Sequence, residues 1–263
     1  MTPAPAPSIN SELKQVLRRL KLGKMLDTLP ERLVLAKQQQ LSHAAFLELV
    51  LADEVDRRDR TGAARRARAA GLDPTMTLEA WDDHDAISYD HDILNELVTL
   101  RFVEDRQAAF ILGPVGVGKT HLAHAIGHIA CRRRVRVHAE RADRLFKRLK
   151  AARLDNSHEH ELRRLIAVDL LLIDDFALHS LDAVATGDFY EIAVERHLSA
   201  ATLLTSNREP PEWLGQLADP LLAQSALDRL QSAAWELVIE GDSYRRRQKP
   251  TIATINTTER KDR

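Results

Sequence analysis

From residue 113 to residue 120 the chain reads Gly113-Pro114-Val115-Gly116-Val117-Gly118-Lys119-Thr120. This satisfies the pattern G-x-x-x-x-G-K-[ST] in full and constrains the fold more than any other stretch. The glycines let the backbone wrap closely enough for successive N–H groups to converge on an anion, and a helix after the loop adds the positive end of its dipole. The pattern is a phosphate cradle. It predicts that Lys119 reaches the β- and γ-phosphates of a nucleotide and that the Thr120 hydroxyl sits on Mg²⁺. His121 follows directly and belongs to the same binding segment. The context agrees, because residues 107–112 form a short apolar run suited to a buried strand and 121–131 read as a helix.

A second stretch, residues 168–176, is an apolar strand ending in Asp174-Asp175. Carboxylates at the carboxyl end of a buried strand are what a Mg²⁺-nucleotide site needs. Asp174 suits a hold on the metal through water, and Asp175 is placed to orient or deprotonate the attacking water. A further buried strand at 202–205 ends in Ser206-Asn207. An amide there suits a hydrogen bond to the attacking water or the γ-phosphate, and equally suits a cap for the next turn.

The chain's 263 residues allow one substantial domain and a small one. Lys and Arg number 38 against 39 Asp and Glu, so net charge alone announces no nucleic-acid partner and the local distribution decides. The single cysteine, Cys131, excludes an internal disulfide and suits a reducing compartment. No long apolar run and no leader pattern is present, which predicts a soluble cytoplasmic protein without a membrane partner.

Near the start, Leu13, Val16, Leu17 and Leu20 fall on one helix face, with Ser8, Asn10 or Ser11 as the cap. A second helix begins near Ser42, with Phe46, Leu47, Val50, Leu51 and Val55 expected inward. It ends in the run Arg57, Arg58, Arg60, Arg65, Arg66 and Arg68, a density suited to DNA phosphates. Residues 73–92 read as an acidic connector. The helix at 141–153 offers a second basic face with Arg144, Lys147, Arg148, Lys150 and Arg153, and residues 154–160 read as a loop. The histidines at 121, 124 and 128 and at 158 and 160 lack the companions of a zinc site. The expected domains are therefore 1–72 (helical, for DNA binding and assembly), 73–92 (connector), 93–247 (nucleotide-binding) and 248–263 (tail).

Short apolar strands alternating with helices imply a parallel sheet covered on both faces. A strand at 135–139 lies between the two nucleotide motifs in sequence. Its place in the sheet decides between the simplest P-loop kinases and ATPases of the additional-strand class, and sequence order leaves that open.

Taken together, the chain resembles the IstB-like helper ATPases of bacterial insertion sequences, relatives of the helicase loader DnaC within the AAA+ class. The resemblance runs through Phe46-Leu47 and the arginine run, Gly118-Lys119-Thr120-His121-Leu122-Ala123, and Leu172-Ile173-Asp174-Asp175-Phe176. It continues through Leu204-Thr205-Ser206-Asn207-Arg208, Asp219-Pro220-Leu221-Leu222-Ala223, Leu227-Asp228-Arg229-Leu230 and Gly241-Asp242-Ser243-Tyr244-Arg245. It implies an α/β fold: a P-loop AAA+ core with a parallel five-stranded sheet covered by helices, preceded by a small all-α domain. It also implies ATP and Mg²⁺ as cofactors, binding to duplex DNA, self-association into a ring-like or helical oligomer, and help to a transposase in target choice and strand transfer. By the same resemblance Asn207 matches a sensor, and Arg229 matches the arginine that reaches a neighbouring subunit's ATP. Asp175 stands where most AAA+ proteins carry Glu, a shorter reach that implies slow hydrolysis. Ala177 stands where Gly is usual, too few residues follow Glu240 for a helical lid domain, and Arg245 stands near a second sensor. The rival readings are a helicase loader, whose single-stranded DNA calls for aromatic platforms this chain is poor in, and a small-molecule P-loop kinase.

Overall fold

The computed structural model describes residues 9–81, 87–241 and 243. Arg245, the lid question, the tail at 248–263 and Asp82, Asp83 and Asp85 of the connector lie outside the described residues. The chain divides into two units, Met1–Ala63 and Ala64–Arg263.

The first unit holds α1 (Ser11–Arg19), α2 (Leu29–Gln38) and most of α3 (His43–Ala69). Asn10 caps α1, its side-chain oxygen accepting from the Leu13 amide at 2.8 Å. The core is small: Leu17, Met25, Leu29 and Val50, with Phe46 at its margin. Leu13, Val16, Leu20, Leu47, Leu51 and Val55, which the periodicity places inward, are exposed. So short a helical unit has too little facing surface to cover both full stripes. Glu54 is its buried charge, accepting from Arg57 Nε and Arg58 Nε at 2.7 Å each.

The second unit runs β1 (Ile87–Ser88), α4 (His91–Thr99), α5 (Arg101–Glu104), β2 (Ala108–Leu112), α6 (Lys119–Arg132), β3 (Val137–Arg141), α7 (Ala142–Ala152) and α8 (His158–Ile166). It continues with β4 (Leu170–Asp174), α9 (Ala183–Arg196), β5 (Ala201–Ser206), α10 (Pro210–Trp213), α11 (Pro220–Gln231), β6 (Ala234–Val238) and β7 (Glu240–Gly241). Five parallel strands pair in the order β3-β4-β5-β2-β6, while β1 and β7 form a separate antiparallel pair. Side chains alternate across the sheet. Leu171 and Ile173 of β4 join the core formed with α7, α9 and α11, whereas Leu170 and Leu172 join the core formed with α6.

The strand between the phosphate-loop strand β2 and the Asp174 strand β4 is β5, which makes this an additional-strand fold. The strand that intervenes in sequence, β3, lies at the edge. Its residues, Val-His-Ala-Glu-Arg, are only partly buried and tolerate an edge, while β5 is buried throughout. Helix α8 begins inside the segment read as a loop, because its first turn, His158-Glu159-His160-Glu161, carries no apolar residue and only Leu162 and Leu165 are buried. Arg196 of α9, 1% exposed, staples the α8–β4 turn to β5. It donates to the carbonyls of Leu165 (2.9 Å), Ile166 (3.0 Å) and Val168 (2.8 Å), to that of Ala201, and to Thr202 Oγ1 (3.0 Å). Burial pulls its pKa down to about 10, with Asp169 opposing. No helix among the described residues is long and apolar enough to cross a membrane.

A test of the first unit follows from Glu54. The hydrogen bond from Arg57, against the opposing effect of burial and with help from Arg58, holds its carboxyl down to about 2 from an ordinary 4.5. That stabilisation is complete above 4.5 and is lost as pH falls toward 2. Glu54→Gln is therefore expected to flatten the loss of N-terminal helicity between about pH 5 and 2, read by circular dichroism of the full chain. Superimposable acid curves would contradict the assignment.

Candidate nucleotide site

The loop after β2 begins at Gly113, whose φ is 143°, and ends at Gly118, whose φ is 97° and which starts α6. Both glycines are also required by space. A Cβ on Gly113 would lie 2.1 Å from the Ile239 carbonyl oxygen, and one on Gly118 would lie 2.4 Å from the Trp81 ring. The Ile239 amide donates to Leu112 O at 2.8 Å, so the end of β6 is fastened to the mouth of the loop. Lys119 is 7% exposed, and its ammonium donates to the Pro114 carbonyl at 2.7 Å, folded back over the loop.

Thr120 lies at the start of α6, and its hydroxyl donates to Asp174 Oδ1 at 2.9 Å. The two residues are 54 positions apart in sequence, and the crossover of the sheet brings them together. A hydroxyl and a buried carboxylate sharing a hydrogen bond are hard oxygen donors, the chemistry that Mg²⁺ takes, so this donor set fits the ion. Asp175 follows with φ 55°, and its carboxylate faces Arg141 Nη2 at 3.6 Å. Ala177, with φ 55°, is in the same left-handed region, which favours glycine over a residue with a Cβ.

These groups surround a cavity of about 570 Å³. One side is polar, with Lys119, Thr120, Arg141, Asp175 and Asn207, and the other is apolar, with Met76, Ala80, Trp81, Ile87 and Leu178. The loop residues Val115, Gly116, Val117, Gly118 and His121 line it as well. Met76, Ala80 and Trp81 of that wall belong to a strap, residues 72–81, held along α6 by histidines. His124 Nδ1 accepts from the Asp73 amide at 2.9 Å, and burial pushes its pKa down, which suits an unprotonated nitrogen. His128 Nε2 donates to the Asp73 carbonyl at 2.8 Å and His121 Nε2 to that of Thr77 at 2.8 Å. The Trp81 and His121 rings lie 5.5 Å apart. The histidine face that carried no zinc signal is a structural fastening.

The structure thus brings Gly113 to His121, Asp174, Asp175 and Asn207 to one end of the sheet, where all five parallel strands point their carboxyl ends. Arg229 is elsewhere. It sits on α11 beside Arg106, Ala108 and Thr202, at the amino ends of β2 and β5, and donates to the Ser225 carbonyl at 2.7 Å. Of the basic residues, Arg57 and Arg58 are bound to Glu54, and Arg66 Nε donates to the Cys131 carbonyl at 2.9 Å. Arg148 bridges Glu140 at 2.6 Å and Glu161, whereas Arg60, Arg65, Arg68 and Lys147 are exposed. Of the site's polar and aromatic side chains, Trp81 and Arg141 lie outside the sequence motifs, and Thr205 lies within the stretch Leu204-Thr205-Ser206-Asn207-Arg208 but the resemblance gives it no role there. Trp81 and Arg141 carry no spacing signal. Thr205 is one of three hydroxyls in the buried strand Ala201–Ser206, with Thr202 and Ser206, and follows Leu203-Leu204.

A phosphate loop, a Thr120–Asp174 contact and an inserted strand between their two β-strands define a P-loop nucleotide-binding domain of the AAA+ class. The chain belongs to the family of IstB-like ATP binding proteins, which matches residues 15–251. It is 35% identical over 243 residues to an insertion-sequence protein of Mycobacterium tuberculosis named for ATP binding, covering 92% of this chain and 97% of that one. It is 33% identical over 249 residues to the corresponding protein of insertion sequence IS21 from Pseudomonas aeruginosa, covering 94% of each. Among solved structures, AMPPCP-bound DnaA from Aquifex aeolicus is 26% identical with a TM-score of 0.52, over 63% of this chain and 50% of that one. The match thus spans half of that longer protein. DnaI, 24% identical with a TM-score of 0.53 over 64% of this chain and 89% of its own, shares the fold.

The left-handed backbone at Ala177 is directly testable. Ala177→Gly is expected to stabilise the domain by about 1 kcal/mol, seen as a raised midpoint in thermal unfolding. A lowered midpoint would mean that the turn prefers its methyl group to a relaxed backbone.

Proposed function

We propose that this protein hydrolyses ATP with Mg²⁺, assembles on duplex DNA in its ATP-bound form, and assists a transposase in selecting and using a target. The observation that carries this reading is the convergence of Lys119, Thr120, Asp175 and Asn207 on one cavity, with the buried Asp174 accepting from Thr120 at its edge. Lys119 leaves the Pro114 carbonyl for the β- and γ-phosphates, while the loop amides take the remaining charge. Thr120 and Asp174 would hold Mg²⁺, which supplies charge neutralisation at the β- and γ-oxygens. Asp175 orients a water whose oxygen attacks the γ-phosphorus. The bond from that phosphorus to the ADP oxygen breaks, and the water proton passes to the carboxylate. Asn207 donates to the developing charge. The base rests against Trp81, Met76 and Ile87.

Arg229 lies at the far end of the sheet from its own cavity. In the proposed oligomer it enters the site of a second copy, ring-like or helical closure making hydrolysis depend on assembly. In this reading the first unit, Met1–Ala63, serves DNA and assembly, while the segment 73–92, expected as a connector, supplies Met76, Ala80, Trp81 and Ile87 to the cavity of the ATP-binding unit. Arg60, Arg65, Arg68 and Lys147 offer exposed cations to DNA phosphates. Arg57, Arg58, Arg66 and Arg148 join them by exchanging their present partners.

Steady-state ATP hydrolysis should be measured for the protein alone, with duplex and with single-stranded DNA, using Lys119→Ala as the blank. Duplex is expected to stimulate most, and Arg229→Ala to keep nucleotide binding while losing about a thousandfold in rate. Stimulation chiefly by single strands would replace this reading with that of a helicase loader. Indifference to both would favour a small-molecule enzyme.

A further inference from the structure

Thr205 makes contacts that neither nucleotide motif accounts for. The ladder between β4 and β5 ends at the pair Ile173 and Leu204. Beyond it Asp175 turns left-handed, so its amide leaves the ladder and needs another acceptor. That acceptor is Thr205 Oγ1, at 2.9 Å. The same hydroxyl donates to Asp174 Oδ1 at 2.6 Å, the oxygen that also accepts from Thr120. The Thr205 carbonyl takes the next amide as well, that of Phe176, at 2.8 Å. Thr205 is 0% exposed and lines no part of the cavity.

A hydroxyl has a single proton to give. Here it is committed to Asp174, because the Asp175 amide can only donate. The direction of both bonds is therefore determined, and one side chain sets the relation between the two carboxylates. We propose that Thr205 is the positioning residue of the hydrolytic site. It holds Asp175 in the left-handed backbone that faces its carboxylate toward Arg141 and the cavity, and it ties that geometry to Asp174 and Thr120. Asn207 follows directly after the end of the same strand, so the contacts of Thr205 also anchor the strand tip that carries it. A shorter carboxylate at 175 makes this matter more, since less side-chain length is available to correct an error of the backbone.

The inference rests on the proposed hydrolysis, and the test separates the two. Thr205→Val keeps the shape and removes both hydrogen bonds, while Thr205→Ser keeps the hydroxyl. The valine variant is expected to lose roughly 100-fold in kcat with DNA present. Its affinity for a fluorescent ADP analogue should stay within about threefold of wild type, and serine should restore kcat. Independently of turnover, the Asp175 amide, followed by NMR hydrogen exchange, should be protected in wild type and Thr205→Ser and exchange at least about tenfold faster in Thr205→Val. Unchanged kcat in the valine variant overturns the proposal. So does a serine variant as impaired as valine, or a nucleotide affinity that falls in step with kcat, since either indicates packing. If wild type binds nucleotide without hydrolysing it on any DNA, the hydrolytic reading fails, and the Asp175 exchange data still decide whether Thr205 sets that backbone.

Discussion

The nucleotide site depends on two close approaches to the phosphate loop. The carbonyl of Ile239 stands where a side chain on Gly113 would be, and the ring of Trp81 stands where one on Gly118 would be. The loop is thus shaped from outside its own strand and helix, by the end of β6 on one side and by the strap before β1 on the other. Preorganised amides are useful to an anion only if they do not rearrange on binding. Here the constraint comes from segments more than a hundred residues apart, so loop geometry reports on the folding of the whole second unit.

Much of the site was legible because phosphate binding imposes local spacing. The stretch from Gly113 to Thr120, and Asp174 at the end of an apolar strand, are each complete in a few consecutive residues. Sheet order was not legible, since it depends on which strand tolerates an edge, and the partly polar Val137–Arg141 strand yields the centre to the fully buried Ala201–Ser206. Trp81 and Arg141 were invisible for a related reason. Their roles come from crossovers that bring separate segments to the carboxyl ends of the strands, and nothing in their own neighbourhoods marks it. In the first unit, periodicity identified α1 and α3 but missed α2, and it overstated burial, because Leu17 and Val50 find partners while Leu13 and Leu47 do not.

Charge patterns proved the least direct guide. The arginine run reads as uniform in sequence, yet Glu54 and the Cys131 carbonyl engage Arg57, Arg58 and Arg66, and carboxylates engage Arg148 in the second basic helix. Arg196 goes further and is wholly internal, satisfied by backbone carbonyls that only a planar fork could serve together. Arg58, Arg60, Arg65, Arg68, Arg144 and Lys147 remain exposed, while Arg57, Arg66 and Arg148 are partly buried.

The central claim is that the strap carrying Trp81 is part of the nucleotide seat as much as the loop is. The chain has three tryptophans, at positions 81, 213 and 235. With fluorotryptophan incorporated, fluorine NMR resolves them, and Trp81→Phe assigns the first. The account predicts that ATP shifts the Trp81 resonance to saturation, at the concentrations that saturate binding by calorimetry, and leaves Trp213 nearly unmoved. A Trp81 resonance that stays in place while calorimetry records full occupancy would contradict it.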